Sequence, residues 1–221
     1  MELRELMSVI HNLLPFWLLL FFGTIIAVLF NVGTVLACIS LGVRFTKIAV
    51  FYGKPVLTLN TRFGPVCFGY IPTGGYIQLD MDAFPFQPRL KRTAVALSGP
   101  VTLLLSALLC LGLNHAAQSF PATYHQAFEL LRAPVAKGKE FYKLFAAIAT
   151  SHSITGYGIL AAKAGMLNLL PLPTLAGGRL LVELCPNRDS NLLAKTLQYL
   201  GTIFALSVFV WFVILFIRRI F

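Results

Sequence analysis

The pentapeptide FNVGT at 30–34 places two polar side chains inside the longest uncharged stretch of this chain. No residue between Glu5 and Arg44 carries a full charge at neutral pH, whereas a helix needs only about 20 apolar residues to cross the hydrocarbon core of a bilayer. Asn31 and Thr34 therefore lie at the depth where a membrane enzyme would keep its chemistry.

A second unusual stretch follows at 168–181, where the sequence reads NLLPLPTLAGGRLL. Two prolines and two glycines interrupt a helix there: Pro171, Pro173, Gly177 and Gly178. A proline inside a helix removes a backbone hydrogen bond, so the backbone opens and its polar groups need other partners. Interrupted helices of this kind often mark sites.

The composition predicts that these motifs lie in an all-α polytopic membrane protein with a single domain over 1–221. The chain is 57% hydrophobic and 12% charged, with a mean hydropathy of +0.79, which is outside the usual range of soluble domains. Pro15 suits the first turn of the first span, which is too long for a signal peptide. We predict four spans, at about 14–41, 94–113, 145–170 and 196–217.

The basic residues are distributed unevenly between the two sides of the membrane. The connections after the first and third spans hold ten Lys and Arg residues and the other side holds seven, so the positive-inside rule places the first loop in the cytoplasm. Because these residues flank apolar spans, the net charge of +10 points to the lipid bilayer and not to nucleic acid. The four cysteines show no metal-site spacing and are expected to be buried apolar residues.

The segment 53–79 changes character and predicts a small membrane-associated β-sheet between the first and second spans. The expected strands are a hairpin and a third strand, Val56–Leu59, Pro65–Tyr70 and Tyr76–Leu79, with positive φ at Gly64, Gly74 and Gly75. An edge strand there can pair with an extended peptide; the alternative is a structural plug with no ligand. The connection 114–143 is expected to be an extracytoplasmic loop, helical around Tyr124–Arg132.

The stretch 168–181 closely resembles the motif N-x-x-P-x-P-x-x-D-G-G of the site-2 protease family (peptidase M50), whose members are intramembrane zinc metalloproteases. The segments 42–55, 68–79 and 89–100 are similar to the family's membrane-associated β region and to its A-G-P helix start. The family's usual periplasmic PDZ domain has no counterpart in this chain, where the 114–143 loop occupies its place.

The resemblance implies which residues would carry the chemistry. The first core helix of the family has H-E-x-G-H, in which the two histidines bind zinc and the Glu is the general base, while the Asp of D-G-G is the third ligand. The corresponding residues here are Phe30, Asn31, Thr34 and Ala176. Leu103 also replaces an Asn that helps to hold substrate in the family. We therefore expect a catalytically inactive member without zinc, because these side chains offer neither the ligands nor the base.

Lys163 is a candidate for a different role, because a membrane-embedded Lys is costly and suggests function. One hypothesis is that its ammonium fills the space that zinc would occupy and bonds Asn31, Thr34 or the opened backbone of 171–173. The alternative is a Lys that extends to the membrane interface. A new nucleophile built on His152, Ser153 or Lys163 is a remote alternative, since Ser153 and Lys163 are far apart on one helix.

The function expected from these observations is that of a non-catalytic scaffold, regulator or complex subunit that binds transmembrane or extended segments of other membrane proteins. Its candidate partner-binding residues are Gly74, Gly75, Tyr76, Asn168, Pro171, Pro173 and Lys163. Two alternatives remain open: an active metalloprotease with relocated ligands, and a small transporter or channel subunit. The expected location is the bacterial inner membrane, as a multi-pass protein.

Overall fold

A computed structural model describes residues 3–184 except 62, 72, 73, 81, 173 and 174, and in addition residues 196, 199 and 203. The predicted span 196–217 therefore lies almost wholly outside the described residues. The elements are helices α1 (Leu3–Leu41), α2 (Arg89–Arg132), α3 (Pro134–Ser151), α4 (Ser153–Asn168) and α5 (Ala176–Leu184), strands β1 (Phe45–Ala49), β2 (Tyr52–Thr61), β3 (Gly64–Ile71) and β4 (Tyr76–Leu79), and a 3₁₀ turn at Phe84–Phe86.

Two of the described helices are long and apolar enough to cross a membrane, Leu14–Leu41 within α1 and Arg89–Arg132 as α2. The first agrees with the predicted span 14–41, and it exposes large apolar side chains such as Trp17 and Phe21. The role predicted for Pro15 was wrong, because α1 begins at Leu3 and Pro15 lies inside it.

Helix α2 consists of two arms that meet at Gly112, where φ is 72° and ψ is 166°. Only glycine adopts this backbone without strain. The first arm, 89–111, covers the predicted span 94–113, and the second arm, 113–132, folds back along α4. Two contacts show this reversal. Leu111, at the end of the first arm, lies against Gly158 near the start of α4, and the Tyr124 hydroxyl on the second arm donates to the Met166 carbonyl near the end of α4 at 3.1 Å.

The connection 114–143 has the helix expected around Tyr124–Arg132, but its helical part is longer than expected, because the second arm of α2 and the first half of α3 form helices there. Ala116 and Thr123 on the second arm are fully buried or nearly so. Apolar residues of this segment pack on the rest of the helices, which a solvated loop would not do.

The predicted third span 145–170 is not one continuous helix, because it is divided at His152 into α3 and α4. His152 has φ −140° and ψ 77°, outside the helical region. Its neighbours Ser151 and Ser153 both donate to carbonyl oxygens one turn earlier, at 2.7 and 3.0 Å, and serine hydroxyls that bond the backbone in this way compete with regular helix geometry.

The β region is a four-stranded sheet in the order β2-β3-β1-β4. The predicted hairpin is present as the antiparallel pair β2 and β3, and Tyr76–Leu79 is β4, as expected. Strand β1 was not among the three expected strands, although 42–55 had been likened to the family's β region; it lies inside the sheet, parallel to β3 and antiparallel to β4. Positive φ occurs at Gly64 and Gly74 but not at Gly75.

The first arm of α2 is the centre of the helix packing. Gly165 and Gly158 of α4 face its Leu104 and Leu111, where a Cβ would lie 2.8 Å from a leucine carbon. Small residues of this kind allow helix backbones to approach closely in membranes. The sheet is held at one end of the bundle by Cys38, Val43 and Val95, with Leu79 and Phe84 packed on them.

Candidate functional site

The FNVGT segment of α1 lies directly on the first arm of α2. A Cβ at Gly33 would be 2.7 Å from Thr102 Cβ and 3.0 Å from the Ser98 carbonyl oxygen. One turn earlier the Phe30 ring covers Gly99, where a Cβ would be 2.6 Å from its Cζ. These two glycines let α1 and α2 cross at close range, so the glycine of the motif has a packing role that needs no metal.

The polar side chains of this segment bond their own helix. Asn31 Nδ2 donates to the Ala27 carbonyl at 2.8 Å and Thr34 Oγ1 donates to the Phe30 carbonyl at 3.1 Å. Asn31 is buried, with 8% of its surface exposed. A buried amide needs such partners. These local bonds use one N–H donor of Asn31 and the hydroxyl donor of Thr34.

Asn31 also lies beside the start of β4. A Cβ at Gly75 would meet the carbonyl oxygens of Ala49 and Val50 and would lie 2.9 Å from Asn31 Nδ2. Gly75 is therefore required for close approach and not for a positive φ. The structure brings two of the predicted site positions, Asn31 and Gly75, together at one end of the edge strand.

Aromatic side chains surround this end of β4. The rings of Tyr52 and Tyr76 are stacked with 6.4 Å between their centroids, and Lys47 Nζ lies 5.9 Å from the Tyr76 centroid. The Tyr52 hydroxyl donates to the Gly75 carbonyl at 3.4 Å. Its ring also lies against Gly74, where any side chain would collide with it.

The helix-breaking segment is built around its glycines. A Cβ at Gly177 would collide with the carbonyl oxygens of Leu169 and Leu170, and Asn168 Nδ2 donates to the Ala164 carbonyl at 2.8 Å. Ala176 is buried, and Pro171 is at the bend between α4 and α5. Pro173 lies outside the described residues.

An ion pair that the sequence analysis missed holds α5 against α2. Arg92 NH2 lies 2.6 Å from Glu183 Oε2, with 2% of the Arg92 side chain exposed, and Arg92 NH1 donates to the Pro85 carbonyl at 2.6 Å. Arg92 had been counted among the ten basic residues of the connections, and its pairing with Glu183 was not predicted. The sequence held one indication of this pair, because Glu183 is a rare acidic residue on an apolar helical stretch.

Lys163 lies in a different place from the one hypothesised. Its Nζ donates to Gln126 Oε1 and lies 5.6 Å from the centroid of the Phe141 ring. Bonds from Lys163 to Asn31 or Thr34 are not among those of the described residues. Lys163 faces the second arm of α2 and α3, whereas Asn31 faces Gly75.

The residues at the motif positions do not fit a zinc ion. Phe30 and Ala176 have no donor atom, and the hydroxyl of Thr34 is already turned to the Phe30 carbonyl. Zinc in catalytic sites takes three ligands from His, Cys, Asp and Glu. Within the part of the chain that the structure describes, no three such residues are grouped so that they could hold a metal. Leu103, at the position of the family's substrate-holding amide, is 1% exposed and packs in the core.

Comparison with known proteins relates the chain to a family and to a bacterial relative. The sequence pattern of peptidase family M50 matches residues 17–212. A protein of Neisseria meningitidis serogroup A with the name "Putative zinc metalloprotease" is 31% identical over 116 residues, which are 47% of this chain and 25% of that protein. The chain therefore covers about a quarter of the length of this relative.

Proposed function

The chain belongs to peptidase family M50, and we propose that within this family it is a non-catalytic member, a site-2-protease-like membrane protein that binds segments of other membrane proteins. The observation that carries this proposal is the set of residues at the four positions where the family has its three zinc ligands and its general base. Phe30, Asn31, Thr34 and Ala176 supply neither zinc ligands nor a general base.

Without a bound metal water keeps its high pKa, whereas zinc lowers the pKa of bound water to about 7, so no hydroxide is available at neutral pH to attack a peptide bond. The packing of the motif does not need the metal either, because Gly33 and Gly99 hold α1 on α2 through close contacts. A binding protein derived from a protease would lose the zinc ligands and the general base and keep the crossing of α1 and α2.

The proposed binding edge is β4. It is an edge strand of the sheet, its Tyr76 and Gln78 are exposed, and its first end lies beside Asn31 and the Tyr52–Tyr76 stack. An extended partner segment can add to such an edge through main-chain hydrogen bonds. Gly74, Gly75 and Tyr76 would form the start of this edge, with Asn168 and Pro171 at the helix break as further candidates.

Site-specific photocrosslinking in native membranes tests this proposal. A photoreactive amino acid at Gln78, on β4, is expected to capture a membrane protein. The matched control is the same amino acid at Thr58, an exposed residue of β2 at the opposite edge of the sheet. Equal capture from both edges, or capture from Thr58 alone, would contradict binding at β4.

The family's description as a peptidase and the name of the Neisseria relative favour one second candidate, an active zinc metalloprotease with ligands at other positions. The two candidates differ in their zinc content. The active enzyme requires about one zinc per chain, whereas the binding protein requires none.

A further inference from the structure

A cavity of about 260 Å³ lies between the second arm of α2, α3 and α4. It is separate from the FNVGT segment, since none of the residues at 30–34 lines it. Its lining includes exposed residues, among them Leu144 and Gln126, so it opens to the surroundings of the protein. Neither the family nor the proposed partner binding at β4 assigns a role to this cavity.

Lys163 gives the cavity its charge. The residues that line it include no Asp or Glu, and Lys163 Nζ is held by a neutral amide oxygen of Gln126 and by the face of the Phe141 ring. The acidic residues closest in sequence to the lining residues of α2 and α3 are Glu129 and Glu140. Neither of them lines the cavity, and Glu140 binds Lys137 at 3.0 Å. Lys163 is half-buried, and a cation that has lost part of its water without gaining a carboxylate is unfavourable, so an anion that enters gains an interaction.

The rest of the lining is amphipathic. Phe145, Ile148 and Ile159 provide apolar surface, and neutral hydrogen-bonding side chains face the same space, namely His115, Gln118, Ser119 and Gln126. A ligand that carries one negative charge, several hydrogen-bonding oxygens and an apolar part matches this combination. The headgroup of an anionic phospholipid has all three properties, and phospholipids are the most abundant such molecules around a membrane helix.

We propose that this cavity is a binding site for the phosphate headgroup of an anionic membrane lipid, with Lys163 and Gln126 at the phosphate and the apolar wall against the start of the acyl chains. Phosphate esters are natural ligands of an ammonium group with amide donors nearby. Basic pockets between membrane helices bind headgroups in the same way.

The test uses the full chain in detergent, freed of lipid and titrated with dioleoyl phosphatidylglycerol or dioleoyl phosphatidylcholine, with native mass spectrometry to count bound lipid. The wild type is expected to retain one phosphatidylglycerol, bound about fivefold more tightly than phosphatidylcholine, the factor that one Lys contributes at an anionic surface. Lys163→Met is expected to remove this preference and Lys163→Arg to keep it.

The matched control is Lys139→Met, which removes an exposed cation of α3 that does not line the cavity, and it is expected to bind like the wild type. If Lys163→Met does not fold, Ala122→Phe fills the same cavity without changing the charge and is also expected to remove the preference for phosphatidylglycerol.

Three results would overturn the proposal. Equal binding of the two lipids by the wild type excludes recognition of the anionic headgroup. Inorganic phosphate that displaces phosphatidylglycerol at similar concentration shows a site for a free anion and not for a lipid. A protein that copurifies with the wild type and not with Lys163→Met, in the absence of any lipid preference, shows that the occupant is a partner's acidic side chain.

Discussion

In the FNVGT segment the polar side chains of α1 form hydrogen bonds within their own helix, whereas two polar side chains on the second arm of α2 form hydrogen bonds with α4. Asn31 and Thr34 donate to carbonyls one turn earlier. Tyr124 and Gln126 instead contact Met166 and Lys163. The first region is held by close backbone contact at glycines and the second by hydrogen bonds between helices.

This difference shows that the helix crossing at the FNVGT segment does not rest on hydrogen bonds from its polar side chains. At 30–34 the close contacts of α1 with α2 come from Gly33 and from the Phe30 ring on Gly99, so this crossing does not depend on the side chains of Asn31 and Thr34. In the second region, by contrast, the polar side chains are part of the packing, and changes there alter how the helices are joined.

The largest expected effect is at the ion pair that ties α5 to the first arm of α2. Arg92→Met leaves Glu183 in a mostly buried position without its partner, and removal of one member of a buried pair costs about 3–5 kcal/mol of unfolding free energy. Denaturant titration in detergent micelles measures it.

Two controls accompany this measurement. Lys137→Met removes the exposed pair with Glu140 and is expected to leave stability unchanged. The double variant Arg92→Met with Glu183→Met should be more stable than Arg92→Met alone. If Arg92→Met and Lys137→Met have equal effects, the buried pair does not hold α5.

The next effect is at the crossing of α1 and α2. Gly33→Ala places a methyl group against Thr102 and the Ser98 carbonyl, and overpacking of this kind costs about 1–3 kcal/mol. The matched variant is Gly23→Ala on the same helix, where nothing lies within 4 Å of the added carbon, and it is expected to be neutral or slightly stabilising. Equal losses of thermal stability for both variants would mean that α1 and α2 do not cross closely at Gly33.

The smallest effect sharpens the contrast between local hydrogen bonds and those that join two helices. Tyr124→Phe removes the bond to the Met166 carbonyl and is expected to cost about 0.6 kcal/mol, the average for such bonds between membrane helices. Thr34→Val removes only a bond to its own helix, whose carbonyl keeps its backbone partner, and should change stability less. The reverse order in paired unfolding measurements would contradict the contrast.

The sequence predicted those parts of the fold that depend on residues close together in the chain. The uncharged run to Leu41 marked α1, Gly64 marked the hairpin and Gly74 the turn before β4, and β4 was predicted with its observed ends. Strand β1 was missed because its pairing with β3 and β4 is nonlocal and its five residues have no turn signal of their own.

The folding back of α2 was missed for a similar reason. Gly112 lies in an apolar run, and hydropathy alone cannot show that its φ is 72° and that the chain reverses there. The location of Lys163 depends on that reversal, because Gln126 and Phe141 come from segments treated as loop. The four chemical positions, in contrast, could be assigned from motif spacing, although their consequence for catalysis is still a proposal.

The proposed absence of catalysis is tested by the amount of zinc per chain, measured by elemental analysis on protein purified in detergent without chelators. The matched variant carries Phe30→His, Asn31→Glu, Thr34→His and Ala176→Asp, which restores the family's ligands and base and is expected to bind about one zinc. A non-catalytic member without zinc gives a ratio near zero for the wild type, whereas a ratio near one that a chelator abolishes would show that the proposed function is wrong.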